Sequence, residues 1–357
     1  NITHLFHHAR NVLVYDFGGG TFDVSVLKLI MGRVEVLAVG GDNHLGGDDI
    51  DQNIIDYCLD DFRKQTGVRV DRESAEGERA LRALKDRCER EKWRLSEATA
   101  VTIAVDNIAG GRDLAVELTR ADFERLNKQL FDRTMDCVTR TLASVNEGAG
   151  MQPHDIDDIL LVGGSTYIPC VKDMIRRYFN GRQPSQTVNP MLVVAEGAAI
   201  QAAIVNGNQA HRYRHLRVLD VTPHSLGIAT CPLVDKVRMY DVMSVIIPAQ
   251  SRVDGVDRIK TYCTLNDNQT DMSIEVYEGE DPVVTRNALL GKFVVTGIPP
   301  DGAGKQSVDV LFCVNDDGVL KVRATVLSHG AVHEYEVAEH KGRLSMDELL
   351  SRRRSRR

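Results

Sequence analysis

The sequence predicts an α/β unit followed by an all-β unit, and three observations carry that expectation. In the first two hundred residues, short apolar strands alternate with stretches of helical period, the pattern of an α/β fold. Two Gly-rich turns, DFGGGTFDV and LVGGSTYIP, each follow a β-branched strand within that region. Around His211 to Asp220 the character changes, and beyond Thr222 strand follows strand with turn signals and little helical period. A chain of 357 residues is long enough for two domains with real cores.

The stretch VLVYDFGGGTFDVSVL, Val12 to Leu27, reads as strand, tight glycine turn and return strand. Gly18, Gly19 and Gly20 lack Cβ atoms, so the backbone there can approach a ligand closely. Amides in such a turn form a concave anion site, and Asp16 and Asp23 at its two ends could hold a hydrated divalent cation. A plain hairpin would explain the glycines but would not need the acids. Next, Gly46 and Gly47 precede a helix with apolar Ile50, Ile54, Ile55, Cys58, Leu59 and Phe62, and Asp48 and Asp49 suit the positive end of its dipole.

A charged helix is expected from about Glu73 to Leu95, with Leu81, Leu84, Cys88 and Leu95 as a thin apolar stripe. Glu89, Lys92 and Ser96 share one face of it, a carboxylate, an ammonium and a hydroxyl suited to ribose and base contacts. A solvated charged face is the alternative from spacing alone. Strands at Val101 to Val105 and Leu114 to Leu118 lead to Thr119 and Asp122, a capping-box signature for one long helix through Leu142. Ile159 to Val162 forms a buried strand running into Gly163, Gly164 and Ser165, and Pro169 opens the next helix. In the second half, Val308, Val310, Phe312 and Val314 alternate toward a turn at Asn315 to Gly318, and DMSIEVYEGE alternates likewise, as in an antiparallel sandwich. GAGKQS at Gly302 lacks the first glycine of a phosphate loop, has Gln after Lys and leads into a strand, so it is rejected as one.

The composition, 43% apolar and 27% charged, is that of an ordinary folded protein, and the net charge of −7 argues against nucleic acid as a partner. The C-terminal SRRRSRR is the exception and reads as a solvated tail, with a weak nuclear or nucleic-acid signal as the alternative. Seven scattered cysteines without C-x-x-C spacing argue against a disulfide framework or zinc, and His4, His7 and His8 are too loosely placed for a metal. No apolar run reaches membrane-spanning length and no signal peptide is visible. The first residue is Asn, and the first strand starts almost at once, so the chain reads as a fragment.

DFGGGTFDV, CEREKWRLS and LVGGSTYIP, with HLGGDDID, FNGRQP, EGAAIQAAI, VLDVTPHSLGI, VYEGE, LLGKFVVTGIPP and NDDGVLKV in order along nearly the whole chain, closely resemble the heat-shock 70 kDa chaperone family. The resemblance implies an actin-like ATPase lobe (the second lobe of the nucleotide-binding domain) over 1–208, a linker over 209–222, a peptide-binding β-sandwich over 223–343, and a truncated lid start with basic tail over 344–357. It implies ATP/ADP, magnesium and potassium as cofactors. The outer phosphates fall at Gly18, Gly19, Gly20 and Thr21, the metal ions near Asp16 and Asp23, and further nucleotide contacts at Gly47 and Asp48. Adenosine contacts fall at Glu89, Lys92, Trp93, Ser96, Gly163, Gly164, Ser165 and Tyr167. It places extended apolar peptides at Leu226, Ile228, Tyr262, Leu265, Met272 and Ile274, six residues that periodicity alone would assign to core. J-domain co-chaperones, nucleotide-exchange factors, a role in protein folding and stress response, and a cytoplasmic location with a nuclear alternative follow from the same likeness.

Departures from the pattern are specific. Trp93 and Tyr167 stand where the family has two arginines, and Met191 and Leu192 stand where it has an acidic pair. The stretch from Ala229 to Asp241 is unlike the family. Nothing in the chain matches the family's first lobe, with its catalytic lysine and first phosphate loop, so hydrolysis is expected to be deficient. A nucleotide-independent peptide-binding module, or an incomplete gene product without separate function, is the alternative.

Overall fold

The computed structural model describes residues 9–30, 33–145, 148–185, 187–206, 217–234, 237–253, 256–315 and 319–337. His4, His7 and His8, linker residues 209–216, turn residues 316–318, the region 344–357 and its arginine tail lie outside the described residues. Two compact units divide between Val218 and Leu219.

In the first unit, β1 (Arg10–Phe17), β2 (Phe22–Ile30) and β3 (Arg33–Asp42) form an antiparallel meander. Helices α1 (Gly47–Thr66) and α2 (Ala75–Arg94) follow, then the hairpin β4 (Ala100–Ala109) and β5 (Arg112–Thr119). Helices α3 (Arg120–Leu126) and α4 (Lys128–Ser144) lead to β6 (Asp158–Val162), which returns parallel to β1. After α5 (Pro169–Tyr178) and α6 (Val193–Val205), the short strand β7 (Arg217–Leu219) completes the sheet order β6-β1-β2-β3-β7.

Alternation in β1 and β2 sends Tyr15, Phe17 and Phe22 into the core, where all three are fully buried and pack edge to face, with Tyr15 and Phe22 centroids 4.7 Å apart. Such pairs add about 0.5–1.5 kcal/mol each beyond area burial. The Tyr15 hydroxyl is satisfied by donating to Thr134 Oγ1 at 2.6 Å, which ties β1 to α4. Ser74 caps α2 by accepting from the Gly77 amide, and Thr119 caps α3 by accepting from the Asp122 amide.

The single long helix expected after Thr119 is two helices. Asn127 interrupts it at φ −103°, ψ 7°. Its fully buried side chain donates to the Phe123 carbonyl and accepts from Asn53 Nδ2 of α1, competing locally with the backbone ladder.

The second unit contains two four-stranded antiparallel sheets. Its strands are β8 (Leu226–Thr230), β9 (Leu233–Val234), β10 (Val237–Arg238), β11 (Val242–Ile247), β12 (Val256–Cys263), β13 (Met272–Glu278), β14 (Ala288–Val295), β15 (Ser307–Val314), β16 (Leu320–Val326) and β17 (Val332–Glu336). The orders are β11-β8-β13-β14 and β12-β15-β16-β17, with β9 and β10 as a small hairpin between β8 and β11. Both sheets contribute to one core, through Ile228, Ile274 and Val276 on one side and Val310, Phe312 and Val322 on the other. Gly291 on β14 lets Tyr335 of β17 approach: a Cβ there would overlap the tyrosine hydroxyl, while the Tyr335 ring stacks on Phe293 at 5.5 Å.

Candidate functional sites

In the first unit, five chain segments converge on a cavity of about 490 Å³. The β1–β2 turn supplies Gly18 and Gly19, the start of α1 supplies Gly47, Asp48 and Asp51, and the end of α2 supplies Glu89, Lys92, Trp93 and Ser96, followed by Glu97. The turn after β6 supplies Gly164, Ser165, Tyr167 and Ile168, and Asn189 and Met191 close the wall. The two glycine turns are tied together, because the Ser165 hydroxyl donates to the Gly18 carbonyl at 3.2 Å. Gly163 allows the close approach of the two turns and is not itself a lining residue. It sits at φ +85°, and a Cβ there would overlap the Phe17 carbonyl.

At the cavity floor, Lys92 Nζ donates to Asp51 Oδ2 at 2.7 Å and to the Gly47 carbonyl at 3.0 Å. Asp51 is 2% exposed, and its other oxygen, Oδ1, is buried with no hydrogen-bond partner. Burial, partly offset by Lys92, holds the Asp51 carboxyl above its ordinary range. The rim is aromatic and open: Trp93 is 60% and Tyr167 42% exposed. Lys172 Nζ lies 5.3 Å over one face of the Tyr167 ring.

Of the residues expected here, Gly18, Gly19, Gly47, Asp48, Glu89, Lys92, Trp93, Ser96, Gly164, Ser165 and Tyr167 line the cavity, whereas Gly20, Thr21, Asp16 and Asp23 do not. Gly20 and Thr21 project into solvent at the turn tip. Asp16 and Asp23 oppose each other directly across the β1–β2 ladder, with Thr21 donating to Asp23. Burial, and secondarily Asp23, push the Asp16 carboxyl up. Among the described residues no group of three or more His, Cys, Asp or Glu side chains is arranged to hold a metal. Asp51, Glu97, Ile168, Asn189 and Met191 are cavity residues outside the expected set. The GGDDID signature drew attention to the helix-capping acids, while Asp51 faces inward one turn later.

In the second unit, a groove of about 630 Å³ is lined by Ile228, Tyr262, Leu265, Met272 and Ile274, five of the six expected residues. Leu226 is not among them. It is 7% exposed in the shared core, paired with Ile247 and Glu278. Gln269 Oε1 accepts from the amides of Leu265 and Asn266, fixing the loop that carries Leu265. Ser244 of β11 and Tyr262 of β12 hydrogen-bond at 2.9 Å between the sheets. Arg238, on the hairpin expected to depart from the family, donates to the Leu265 carbonyl at 2.7 Å and so ties that hairpin to the loop carrying Leu265. No helix among the described residues is long and apolar enough to cross a membrane.

These two sites sit on a chain whose residues 4–353 match the family model described as Hsp70 protein. The chain belongs to the Hsp70 family. It is 41% identical over 340 residues to heat shock 70 kDa protein BIP3 of Oryza sativa subsp. japonica, covering 95% of this chain and 48% of that protein. It is 38% identical over 338 residues to heat shock cognate 70 kDa protein 3 of Dictyostelium discoideum, covering 95% and 51%. The ribosome-associated molecular chaperone SSB of Candida glabrata is 38% identical over 341 residues, with 95% and 53% covered. The chain spans about half the length of the curated relatives it matches.

Proposed function

We propose that this chain is the second nucleotide-binding lobe and the peptide-binding sandwich of an Hsp70-type chaperone, taking an adenine nucleotide in the first unit and extended apolar peptides in the second. The domain limits are those given by the family likeness, 1–208, 209–222 and 223–343. What carries the peptide half is the groove in which Ile228, Tyr262, Leu265, Met272 and Ile274 meet, open to a strand-like segment whose alternate side chains would enter apolar pockets. What supports the nucleotide half is the convergence of both glycine turns with the Glu89, Lys92 and Ser96 face on one cavity.

Asp16 and Asp23 offer hard carboxylate oxygens on facing strands, a donor pair that suits outer-sphere contact with hydrated magnesium and potassium. Phosphoryl transfer rests on positive charge and metal preorganised around the phosphates. The 357 residues contain no counterpart of the family's first phosphate loop and catalytic lysine, so the chain as it stands binds without appreciable turnover. J-domain co-chaperones and nucleotide-exchange factors are the partners proposed for the assembled activity, in the cytoplasm.

The test is fluorescence anisotropy of a labelled, leucine-centred heptapeptide with the chain and with Met272→Asp. Saturable binding by the first, and loss by the folded variant through an unpaired charge in an apolar groove, is expected. Equal binding by the two would refute the groove assignment.

A further inference from the structure

The groove of the second unit is not uniformly apolar. Ile228, Met272 and Ile274 give it aliphatic and thioether surface, but Ser244 and Tyr262 bring two hydroxyl groups to the same lining. The strands that carry them, β11 and β12, are the edge strands of their respective sheets, and the 2.9 Å bond between the hydroxyls joins those edges. Tyr262 also packs against the sandwich core, and both side chains are partly buried, so the pair is held in place.

Two hydroxyls carry two donor hydrogens, and their mutual bond uses one. Whichever oxygen donates, the other hydroxyl keeps a hydrogen for which the described residues supply no acceptor. Burial, partly offset by the bond to Ser244, raises the pKa of the Tyr262 phenol, so it keeps its proton at neutral pH. Thr230, Thr261 and Gln269 also line the groove, but their side chains are engaged. Thr230 donates to the Val242 carbonyl at 2.9 Å, Thr261 to Asp309 at 2.6 Å, and Gln269 to the Asp271 carbonyl at 2.8 Å.

In the open groove the spare hydrogen is left to solvent. A peptide that fills the groove displaces that solvent. An aliphatic side chain then leaves the O–H unpaired, at the full desolvation cost of the group.

We infer that the Ser244–Tyr262 pair makes this groove select a hydroxyl-bearing side chain, threonine or serine, over an aliphatic residue of the same shape at the peptide position facing the pair. The incoming hydroxyl accepts the spare hydrogen and donates its own to the other oxygen of the pair, so three hydroxyls satisfy one another. This rests on the peptide reading of the groove and adds a polar requirement at one position of an otherwise apolar segment. Threonine and valine differ there by hydroxyl for methyl, and a site built to pair a polar group rejects the analogue that leaves it unpaired.

The experiment measures fluorescence anisotropy of labelled heptapeptides that differ only in a central leucine, valine or threonine. Each is titrated with the parent chain, Tyr262→Phe and Ser244→Ala, with circular dichroism as the check on folding. The ratio of valine Kd to threonine Kd is expected to fall at least about threefold in Tyr262→Phe, the scale of one net hydrogen bond, and to fall in Ser244→Ala as well. A smaller shift in folded Tyr262→Phe, or in Ser244→Ala should the first variant not fold, overturns the inference. So does failure of the threonine peptide to bind a parent chain that binds the leucine peptide. Failure of the leucine peptide to bind the parent chain overturns the groove reading itself.

Discussion

Lys92 and Asp51 form an ion pair 2.7 Å long whose side chains are only 9% and 3% exposed. The pair joins α2 to the first turns of α1, directly beneath the cavity in which both glycine turns meet. Desolvation of two charges makes such a pair a weak net source of stability, yet removing one member strands the other.

Lys92→Met is therefore expected to destabilise the first unit by about 3–5 kcal/mol, because the Asp51 carboxylate is left buried without a partner. Replacing both, as Lys92→Met with Asp51→Leu, is expected to recover much of that loss. Urea unfolding of the two variants beside the parent chain checks this. An equal loss in both would show that the lysine acts through packing alone.

Asp16 faces Asp23 across β1 and β2, and burial followed by that neighbour raises its proton affinity in the folded state. A carboxyl whose folded pKa lies above its unfolded value favours folding less as pH rises through the window between the two. Asp16→Asn is thus expected to raise stability at pH 7 by roughly 0.2–1 kcal/mol, the scale of a cross-strand charge pair. The gain disappears near pH 3, below the ordinary aspartate range, where Asp16 is protonated in both states. Urea midpoints at the two pH values measure it, and a gain that persists at pH 3 contradicts the electrostatic origin.

Arg238 of the β9–β10 hairpin donates to the carbonyl of Leu265, a residue that lines the groove. With Arg238→Ala, the labelled heptapeptide is expected to dissociate several-fold faster with little change in association, since interface changes act mainly on the off-rate. Stopped-flow displacement by unlabelled peptide reads this directly, and an unchanged off-rate would show that the Arg238–Leu265 bond does not help retain peptide.

Much of this organisation was legible in local chemistry. Strand, glycine turn and return strand at Val12 to Leu27 follow from β-branched runs around three glycines, and the structure pairs Asp16 with Asp23 in that register. Glu89, Lys92 and Ser96 share a helix face by spacing alone, and that face lines the cavity. The break at Asn127 was not legible, because apolar residues keep helical period through Leu126 and Leu130 while the cause lies in a contact with Asn53, 74 residues away. Asp51 was missed for a similar reason: its partner is 41 residues distant, and three nearby acids in GGDDID look equivalent until packing distinguishes them. Leu226 and Ile228 alternate identically in sequence, yet only Ile228 reaches the groove.

In the proposed function, the groove between the two sheets of the second unit holds an extended apolar peptide. Hydrogen–deuterium exchange with and without the leucine-centred heptapeptide tests it most directly, since added backbone hydrogen bonds protect the amides they engage. Slowed exchange is expected, confined to the segments around β8, 226–230, the Leu265 loop, 262–269, and β13, 272–278. Protection only elsewhere, for example along β16 and β17, or none at saturating peptide, would contradict it.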